Sequence, residues 1–349
     1  MSETTRKLAS IQRIDALSPI AGADRIEVAS ILGWKCVVKK GDFKVGDLVV
    51  YFEIDSFLPI KPEYEFLRSN SYRLLSDGRE GFRIKTIRLR KQISQGLVLS
   101  LAEVLKNISS VDMPVEEIGY DLTALLGVVK YEQPMSETLK NDAKGRFPEF
   151  LLKTDEPRVQ LMQTDLNECQ GRECYVTEKV DGSSVTYYIK DGVFGVCSRN
   201  LDLKESDSAF WRWARENDVE NKLRLYAAEG RQYALQGEIH GPNINGNPLA
   251  LTKVNVLFFN VFNIDTFSYV DYEEFKTTIE NLGFQTVPII DDHFTLTSDI
   301  EYYVNLSQGN SALNVAKKRE GIVIRSKTYT PRRISFKAIN PLYLLENDA

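Results

Sequence analysis

Histidine is nearly absent from this chain and cysteine is scarce. His240 and His293 are the only histidines, and they lie far apart. That excludes a histidine-centred catalytic triad and a histidine-rich zinc centre. The four cysteines, Cys36, Cys169, Cys174 and Cys197, show no C-x-x-C spacing. Free thiols in a reducing compartment are therefore expected, and zinc is not. No apolar run reaches the roughly 18 residues that a membrane helix needs. No apolar stretch of the signal-peptide kind opens the chain. A cytoplasmic or nuclear protein that is not secreted and has no membrane partner is the expectation. There is no Gly-x-x-x-x-Gly-Lys loop, which excludes a P-loop ATPase. Internal repeats and low-complexity segments are missing too.

What is present is ordinary globular chemistry in an uneven arrangement. The 349 residues suffice for two or three domains, and 43% hydrophobic with 27% charged residues is a soluble composition. The net charge of −5 looks wrong for a partner of nucleic acid, but the charge is segregated. Residues 79–91 carry Arg79, Arg83, Lys85, Arg88, Arg90 and Lys91 against Glu80 alone. Residues 317–337 carry Lys317, Lys318, Arg319, Arg325, Lys327, Arg332, Arg333 and Lys337 against Glu320 alone. Two basic tracts on an acidic body suit a protein that grips phosphates along one groove. By charge alone they would equally be solvated strand faces.

Residues 1–100 read as short strands punctuated by turns. Ile26–Val28, Gly33–Val38, Leu48–Phe52, Phe82–Lys85 and Gly96–Leu99 have strand composition, and Gly41-Asp42 and Gly46-Asp47 mark turns. Ile87–Arg90 alternates in the opposite phase to Phe82–Lys85, as a β-bulge at Thr86 would produce. About five short strands with basic side chains suit a small barrel of the OB type. Residues 101–135 read as helical or irregular. Residues 131–164, with Pro134, Gly145, Pro148 and Pro157, read as an ordered connector, because Phe147, Phe150, Leu151 and Leu152 need cover. Beyond it, strands are expected at Tyr175–Lys179, Val185–Ile189, Val193–Cys197, Ala234–Ile239, Val254–Val261, Ile322–Arg325 and Ile334–Lys337. Helical spacing runs over 205–229 and 271–282. The fold class is α+β: an OB-like module (1–130), a connector (131–164), and a domain of antiparallel sheets flanked by helices (165–349).

Six short motifs in the second half carry chemistry. They are Thr177-Glu178-Lys179-Val180-Asp181-Gly182-Ser183, Ser198-Arg199-Asn200, Gly237-Glu238-Ile239, Phe258-Phe259-Asn260-Val261-Phe262-Asn263, Glu320-Gly321-Ile322-Val323 and Ser335-Phe336-Lys337. Singly each has a bland reading: a strand glutamate faces solvent, a strand phenylalanine belongs to the core, an arginine sits on the surface. In this order they resemble the motifs of covalent nucleotidyltransferases, the polynucleotide ligases and RNA capping enzymes. A lysine followed by x-Asp-Gly is there the nucleophile that attacks a nucleotide phosphate. Free lysine has a pKa near 10.4, about three units too high for that work at neutral pH. Neighbouring cations, burial and a bound metal can lower it, and Lys337 with a magnesium ion is expected to do so for Lys179.

DNA ligases and capping enzymes usually carry an OB module after the catalytic core. Here twelve residues follow Lys337, and the barrel-like segment comes first. With Phe82–Arg90, Ser94–Leu97 and Ser335–Leu345, the chain resembles, over nearly its whole length, the ATP-dependent RNA ligases of the Deinococcus and Naegleria type. That resemblance implies ATP as cosubstrate, Mg2+ or Mn2+, and a covalent lysyl–AMP on Lys179. It places Glu238 on ribose or metal, Glu320 on metal, Phe262 stacked on the base and Glu178 near the adenine edge. Arg199 falls on the acceptor phosphate or nucleotide sugar, and Lys337 on phosphate. The partner implied is RNA, or an RNA-containing nicked duplex with 3′-hydroxyl and 5′-phosphate ends, handled by a monomer. Two features depart from the wider ligase pattern. Ser335 and Ile339 flank Lys337 where many ligases have Lys-x-Lys, leaving Arg332 or Arg333 to supply a second charge. The pyrophosphate-orienting motif of a C-terminal OB module is also missing. A capping-type guanylyltransferase using GTP, or a catalytically inactive RNA-binding relative, are the alternatives.

Overall fold

A computed structural model describes residues 6–75, 77–108, 117–132, 141–330 and 332–347. The chain forms two compact units, Met1–Pro134 with Asp348–Ala349, and Met135–Asn347. Every ladder between the strands named below is antiparallel.

The first unit is built from β1 (Ala9–Arg13), β2 (Ala16–Pro19), β3 (Ile26–Ile31), β4 (Trp34–Lys39), β5 (Leu48–Phe52), β6 (Ser56–Pro59), β7 (Tyr72–Leu74), β8 (Glu80–Arg83), β9 (Thr86–Leu89), β10 (Gln92–Gln95), β11 (Leu97–Ser100) and β12 (Val129–Lys130). They pair as β1-β5-β11, β2-β3-β4, β9-β10 and β12-β6-β8-β7. β5 is apolar along its length because it is the central strand of its sheet and is covered on both faces. Ile11, Val50, Phe52, Leu58, Phe82, Leu99 and Leu122 share one core. Burying each such side chain fully stabilises by about 1.5–3 kcal/mol.

The sequence pattern led to two differences here. The phase change at Thr86 is a change of sheet and not a bulge. β8 pairs with β6 and β7, whereas β9 pairs only with β10. Several strands of two to four residues also went unseen, since so short a stretch carries no readable period. Within 101–135, a helix spans Leu101–Leu105, capped by the Ser100 hydroxyl accepting from the Glu103 amide at 3.2 Å. A second helical turn spans Thr123–Leu126 and ends at Gly127 with φ 69°. Residues 109–116 and 133–140, with Pro134 of the expected connector, lie outside the described residues.

The second unit holds a seven-stranded and a four-stranded sheet. The first has the order β13 (Ala143–Arg146), β17 (Leu201–Leu203), β16 (Val193–Ser198), β15 (Ser183–Lys190), β18 (Tyr233–His240), β19 (Asn255–Asn263), β20 (Ser268–Tyr269). The second has the order β21 (Ile289–Thr295), β14 (Glu173–Lys179), β22 (Gly321–Ser326), β23 (Ser335–Ile339). The helices Ala209–Glu216, Val219–Tyr226 and Tyr272–Asn281 cover one face of the larger sheet, over Tyr187, Leu235, Phe258 and Val261. The helix Ile300–Leu306 and the turn at Val159–Leu161 cover one face of the smaller sheet, over Cys174, Val176, Ile322, Ile324 and Phe336. The expected connector contributes directly to this unit. Its β13 is an edge strand, and Phe147, Phe150, Leu151 and Leu152 pack with Tyr188, Cys197, Ala234 and Phe262.

Candidate active site

Alternation along the smaller sheet sorts its residues onto two faces. β14 and β22 place Lys179 opposite Gly321, Thr177 opposite Val323 and Tyr175 opposite Arg325. β22 and β23 place Val323 opposite Lys337 and Arg325 opposite Ser335. Lys179, Thr177, Arg325 and Lys337 therefore share one face, while Val176, Ile322, Ile324, Phe336 and Ala338 form the apolar other face. On the larger sheet, Glu238 lies opposite Ser184 and Leu257, on the face that also carries Thr186 and Gln236 and not on the helix-covered one.

Two glycines in the motifs are dictated by close backbone approach. A Cβ at Gly321 would stand 2.3 Å from the Ala338 carbonyl oxygen. A Cβ at Gly182 would stand 2.2 Å from the Ile239 carbonyl oxygen. The first lets β23 lie tight against β22 beside Lys179, and the second lets the chain turn past the end of β18 after the lysine. Asp181 between them is held at both oxygens, by Asn245 Nδ2 at 2.5 Å and by the Tyr343 hydroxyl. That explains lysine-x-Asp-Gly physically: the aspartate is pinned and the glycine yields room. Asn245 and Tyr343 carried no signal in the sequence beyond their proximity to motifs.

The lysine and its carboxylates come together. Lys179 Nζ donates to Glu320 Oε2 at 2.6 Å, with the side chains 25% and 17% exposed. Burial works to lower the Lys179 pKa, but Glu320, Glu238 and Asp181 outweigh it, so the ammonium is held above its ordinary range. Without a metal ion, the three carboxylates outweigh burial and Lys337 together; the lowering expected of Lys179 is assigned to Lys337 with a magnesium ion. Glu238 is pushed up to about 8, chiefly by burial, with Glu320 and Asp181 adding repulsion against the opposing pull of Lys179. Burial, then Lys179 and Arg158, push Lys337 down to about 7. Of the two amines, Lys179 therefore holds its proton the more strongly.

The other expected residues divide. Arg199 lies in the β16–β17 turn, half exposed, and pairs with Asp155 at 2.6 Å. Glu178 points to the opposite face from Lys179, and its carboxylate accepts from the Ser311 hydroxyl and from the Ala312 amide at 2.8 Å. Its side chain is committed to fixing that loop and does not line the site. Phe262 is 0% exposed, packed edge-on by Phe267 and Tyr269, so it is core and not a platform for a base. A register shift between Gln236 and Gly237 leaves Phe259 unpaired. Phe259 is half-buried, and the Arg325 guanidinium lies 5.3 Å from its ring centre. The aromatic on the site side is thus Phe259, whereas the family resemblance points to Phe262.

Arg332 is committed elsewhere, and Arg333 is held by a carboxylate and aromatic rings. Arg332 pairs with Asp165 and with Glu168 at 3.4 Å. Arg333 lies 4.1 Å over the Tyr269 ring and 3.5 Å from Glu156. The basic group beside Lys337 is Arg158, whose backbone bridges to Lys337, with the Lys337 amide donating to the Pro157 carbonyl at 2.8 Å. The segment from Thr154 to Arg158 was assigned to a connector, yet it lines this face. Thr154 bonds Ser184 at 2.6 Å, and Glu156 pairs with buried Arg325 at 3.3 Å. Among the described residues no group of three or more His, Cys, Asp or Glu could hold a metal by itself. Glu238 and Glu320 form a carboxylate pair of the kind that holds Mg2+ or Mn2+ when phosphate and water supply the remaining oxygens. Among the described residues no helix is long and apolar enough to cross a membrane.

Comparison with known proteins identifies the two folds. Residues 172–339 match the family model of RNA ligase, and residues 8–101 match that of an OB-fold domain, the barrel expected for the first unit. No curated protein sequence matches. Among solved structures, a lysine-to-methionine mutant of Naegleria gruberi RNA ligase with AMP and Mn is 38% identical, covers 98% of this chain and 99% of its own, and superposes with a TM-score of 0.87. A glutamate-to-alanine mutant of the same ligase with ATP and Mn is 38% identical over 99% and 100% of the two chains, also with a TM-score of 0.87. The ligase with PPi is 38% identical over 98% and 99%, with a TM-score of 0.86. With that identity held over the whole length, and the OB-fold and ligase domains in the same order, the chain belongs to the RNA ligase family.

Proposed function

We propose that this RNA ligase uses ATP to join a 3′-hydroxyl RNA end to a 5′-phosphate end at nicks in duplexes, through a lysyl–AMP on Lys179. The observation that carries the reading is the Lys179–Glu320 pair at 2.6 Å on the face that also presents Lys337, with Glu238 close enough to raise the Lys179 pKa. Lys179 Nζ, once neutral, attacks the α-phosphorus of ATP. The N–P bond forms as the bond to pyrophosphate breaks. An oxygen of the RNA 5′-phosphate then attacks the same phosphorus, and the lysine leaves. The 3′-hydroxyl finally attacks the 5′-phosphorus, AMP departs, and the phosphodiester remains.

The charges fit that order. While Glu320 and Glu238 face only Lys179, the amine stays protonated and idle. A divalent cation held by Glu238 and Glu320 would screen the triphosphate and the leaving pyrophosphate. With the carboxylates so engaged, the Lys179 proton loses its stabilisation. Lys337, neutral above about pH 7 in the free protein, is the base on the same face that can take it and then offer a cation to phosphate. Phe259 supplies the π-face for the base. Arg199, whose fork suits phosphate oxygens, exchanges Asp155 for the acceptor phosphate. Arg158 stands in for the missing second lysine of the last motif. The OB-like module, taken as residues 1–130, adds contacts to RNA. The enzyme is read as a monomer of the cytoplasm or nucleus, where Cys36, Cys169, Cys174 and Cys197 remain free thiols.

Incubation with α-labelled ATP and Mg2+ or Mn2+, followed by denaturing electrophoresis, tests the reading. An acid-labile, base-stable label on the wild type and none on Lys179→Ala is expected, with chase of the label into a nicked duplex. Labelling by GTP instead would favour the capping alternative. No label with either nucleotide and either metal would leave an inactive relative.

A further inference from the structure

The first unit contains a feature that the chemistry above does not use. Three hairpins close on two-residue turns with both φ angles positive, which is the geometry that matches strand twist and favours Asn-Gly or Asp-Gly. The β3–β4 turn is Leu32-Gly33, with φ of 50° and 75°, and the β15–β16 turn is Asp191-Gly192, with φ of 51° and 74°. Each has a glycine second. The β9–β10 turn is Arg90-Lys91, with φ of 49° and 69° and no glycine at all. Two long basic side chains are thus held in a left-handed backbone that their Cβ atoms disfavour, a form of strain that gathers at functional sites.

The surroundings point the same way. β9 and β10 form a two-stranded ribbon, and from Ile87 to Lys91 every residue is exposed on both faces, including Ile87 at 41% and Leu89 at 39%. Elsewhere in this unit Arg6, Arg68, Arg79 and Arg83 each pair with a carboxylate. Among the described residues Arg88, Arg90 and Lys91 have no such partner. A protein with a net charge of −5 leaves three cations unneutralised on one projecting ribbon. We propose that the tip of the β9–β10 ribbon is a docking site for the phosphate backbone of duplex RNA, with Arg88, Arg90 and Lys91 as its cations. A-form duplexes present a narrow major groove, so such a ribbon reads backbone and shape and not base sequence.

This rests on the RNA-ligase reading, and the test separates the two. Arg90→Asn with Lys91→Gly installs the preferred turn sequence, so this variant folds at least as well as the wild type. Melting temperature, lysyl–AMP formation from ATP alone, and affinity for a nicked RNA duplex across a salt series are measured on the full chain. Expected are an unchanged or higher melting temperature, unchanged autoadenylation, roughly tenfold weaker duplex binding, and a log–log salt slope shallower by about 1 to 2, one unit per lost phosphate contact. Arg88→Glu is expected to weaken binding further. Unchanged affinity and slope in the turn variant would overturn the proposal. Weaker binding with an unchanged slope would also overturn it, because the lost contact would then not be to phosphate. A wild type that takes no label from ATP would instead sink the ligase reading.

Discussion

At the scale of single residues, the buried charges of the lysine–carboxylate cluster have a cost to the fold. Glu238 has an ordinary pKa of 4.5 but stands at about 8 in the folded protein. Between those values the native state binds a proton that the unfolded chain does not. Stability therefore falls as pH rises through that window, by up to about 1.4 kcal/mol per pH unit. Glu238→Gln removes the titration. The variant is expected to melt at a temperature similar to the wild type near pH 5 and above it near pH 8, while losing lysyl–AMP formation. Thermal melts at the two pH values check this; a variant less stable than the wild type at pH 8 would mean that the Glu238–Lys179 attraction outweighs burial. Lys337 runs the opposite way. Its pKa is depressed to about 7 from 10.5, so its unfavourable contribution is complete below pH 7 and fades as pH rises toward 10.5. In the proposed mechanism both groups serve the chemistry at the expense of the fold, as active-site groups often do.

At the scale of elements, Phe259 and Phe262, two of the three phenylalanines of β19, separate packing from the proposed function. Phe262 sits edge-on between Phe267 and Tyr269, and Phe262→Ala is expected to lower stability by about 3–5 kcal/mol, the usual cost of emptying such a site. Phe259→Ala, at the bulge, should change stability much less and raise the KM for ATP severalfold with kcat less affected. Denaturant unfolding and steady-state kinetics on both variants distinguish them, and an unchanged KM in Phe259→Ala would remove the base platform. The same pair shows what the sequence discloses. The strands bearing Lys179, Glu238 and Lys337, and the one that begins just after Glu320, were legible because apolar alternation and motif coincide there. The order of the motifs was sufficient to bring four distant residues to one place. A bulge was not legible, since a single extra residue reverses the facing of everything beyond it. Nor was the segment from Thr154 to Arg158, which takes its place through backbone bonds to β23 and has no period of its own. The phase change at Thr86 was seen but misread, because a strand changing sheets and a bulge leave the same mark on one sequence.

At the scale of the whole molecule, the charge distribution makes a prediction that no single residue makes. The net charge of −5 opposes nucleic acid at long range, while the proposed docking cations Arg88, Arg90 and Lys91 of the tract at 79–91 would attract it locally; in the tract at 317–337, Arg325, Arg332 and Arg333 are already paired with carboxylates. At an ionic strength of about 0.15 M the Debye length is about 8 Å, so the distant acidic surface is screened while contacts within a few ångströms persist. Binding of RNA should then follow counterion release at the tracts and ignore the net charge. Between 50 and 200 mM salt, sealing of a nicked duplex at limiting RNA is expected to fall tenfold or more. Lysyl–AMP formation involves one small nucleotide in a site whose Lys179 and Glu320 are largely buried, and it should change by only a few-fold over the same range. Measuring both in one salt series, with RNA varied to saturation, locates the loss: a fall in kcat/KM with constant kcat assigns it to docking. If autoadenylation declined in parallel with sealing, the salt would be acting on the carboxylate–lysine cluster itself, and the division of labour between gripping RNA and activating ATP would have to be abandoned.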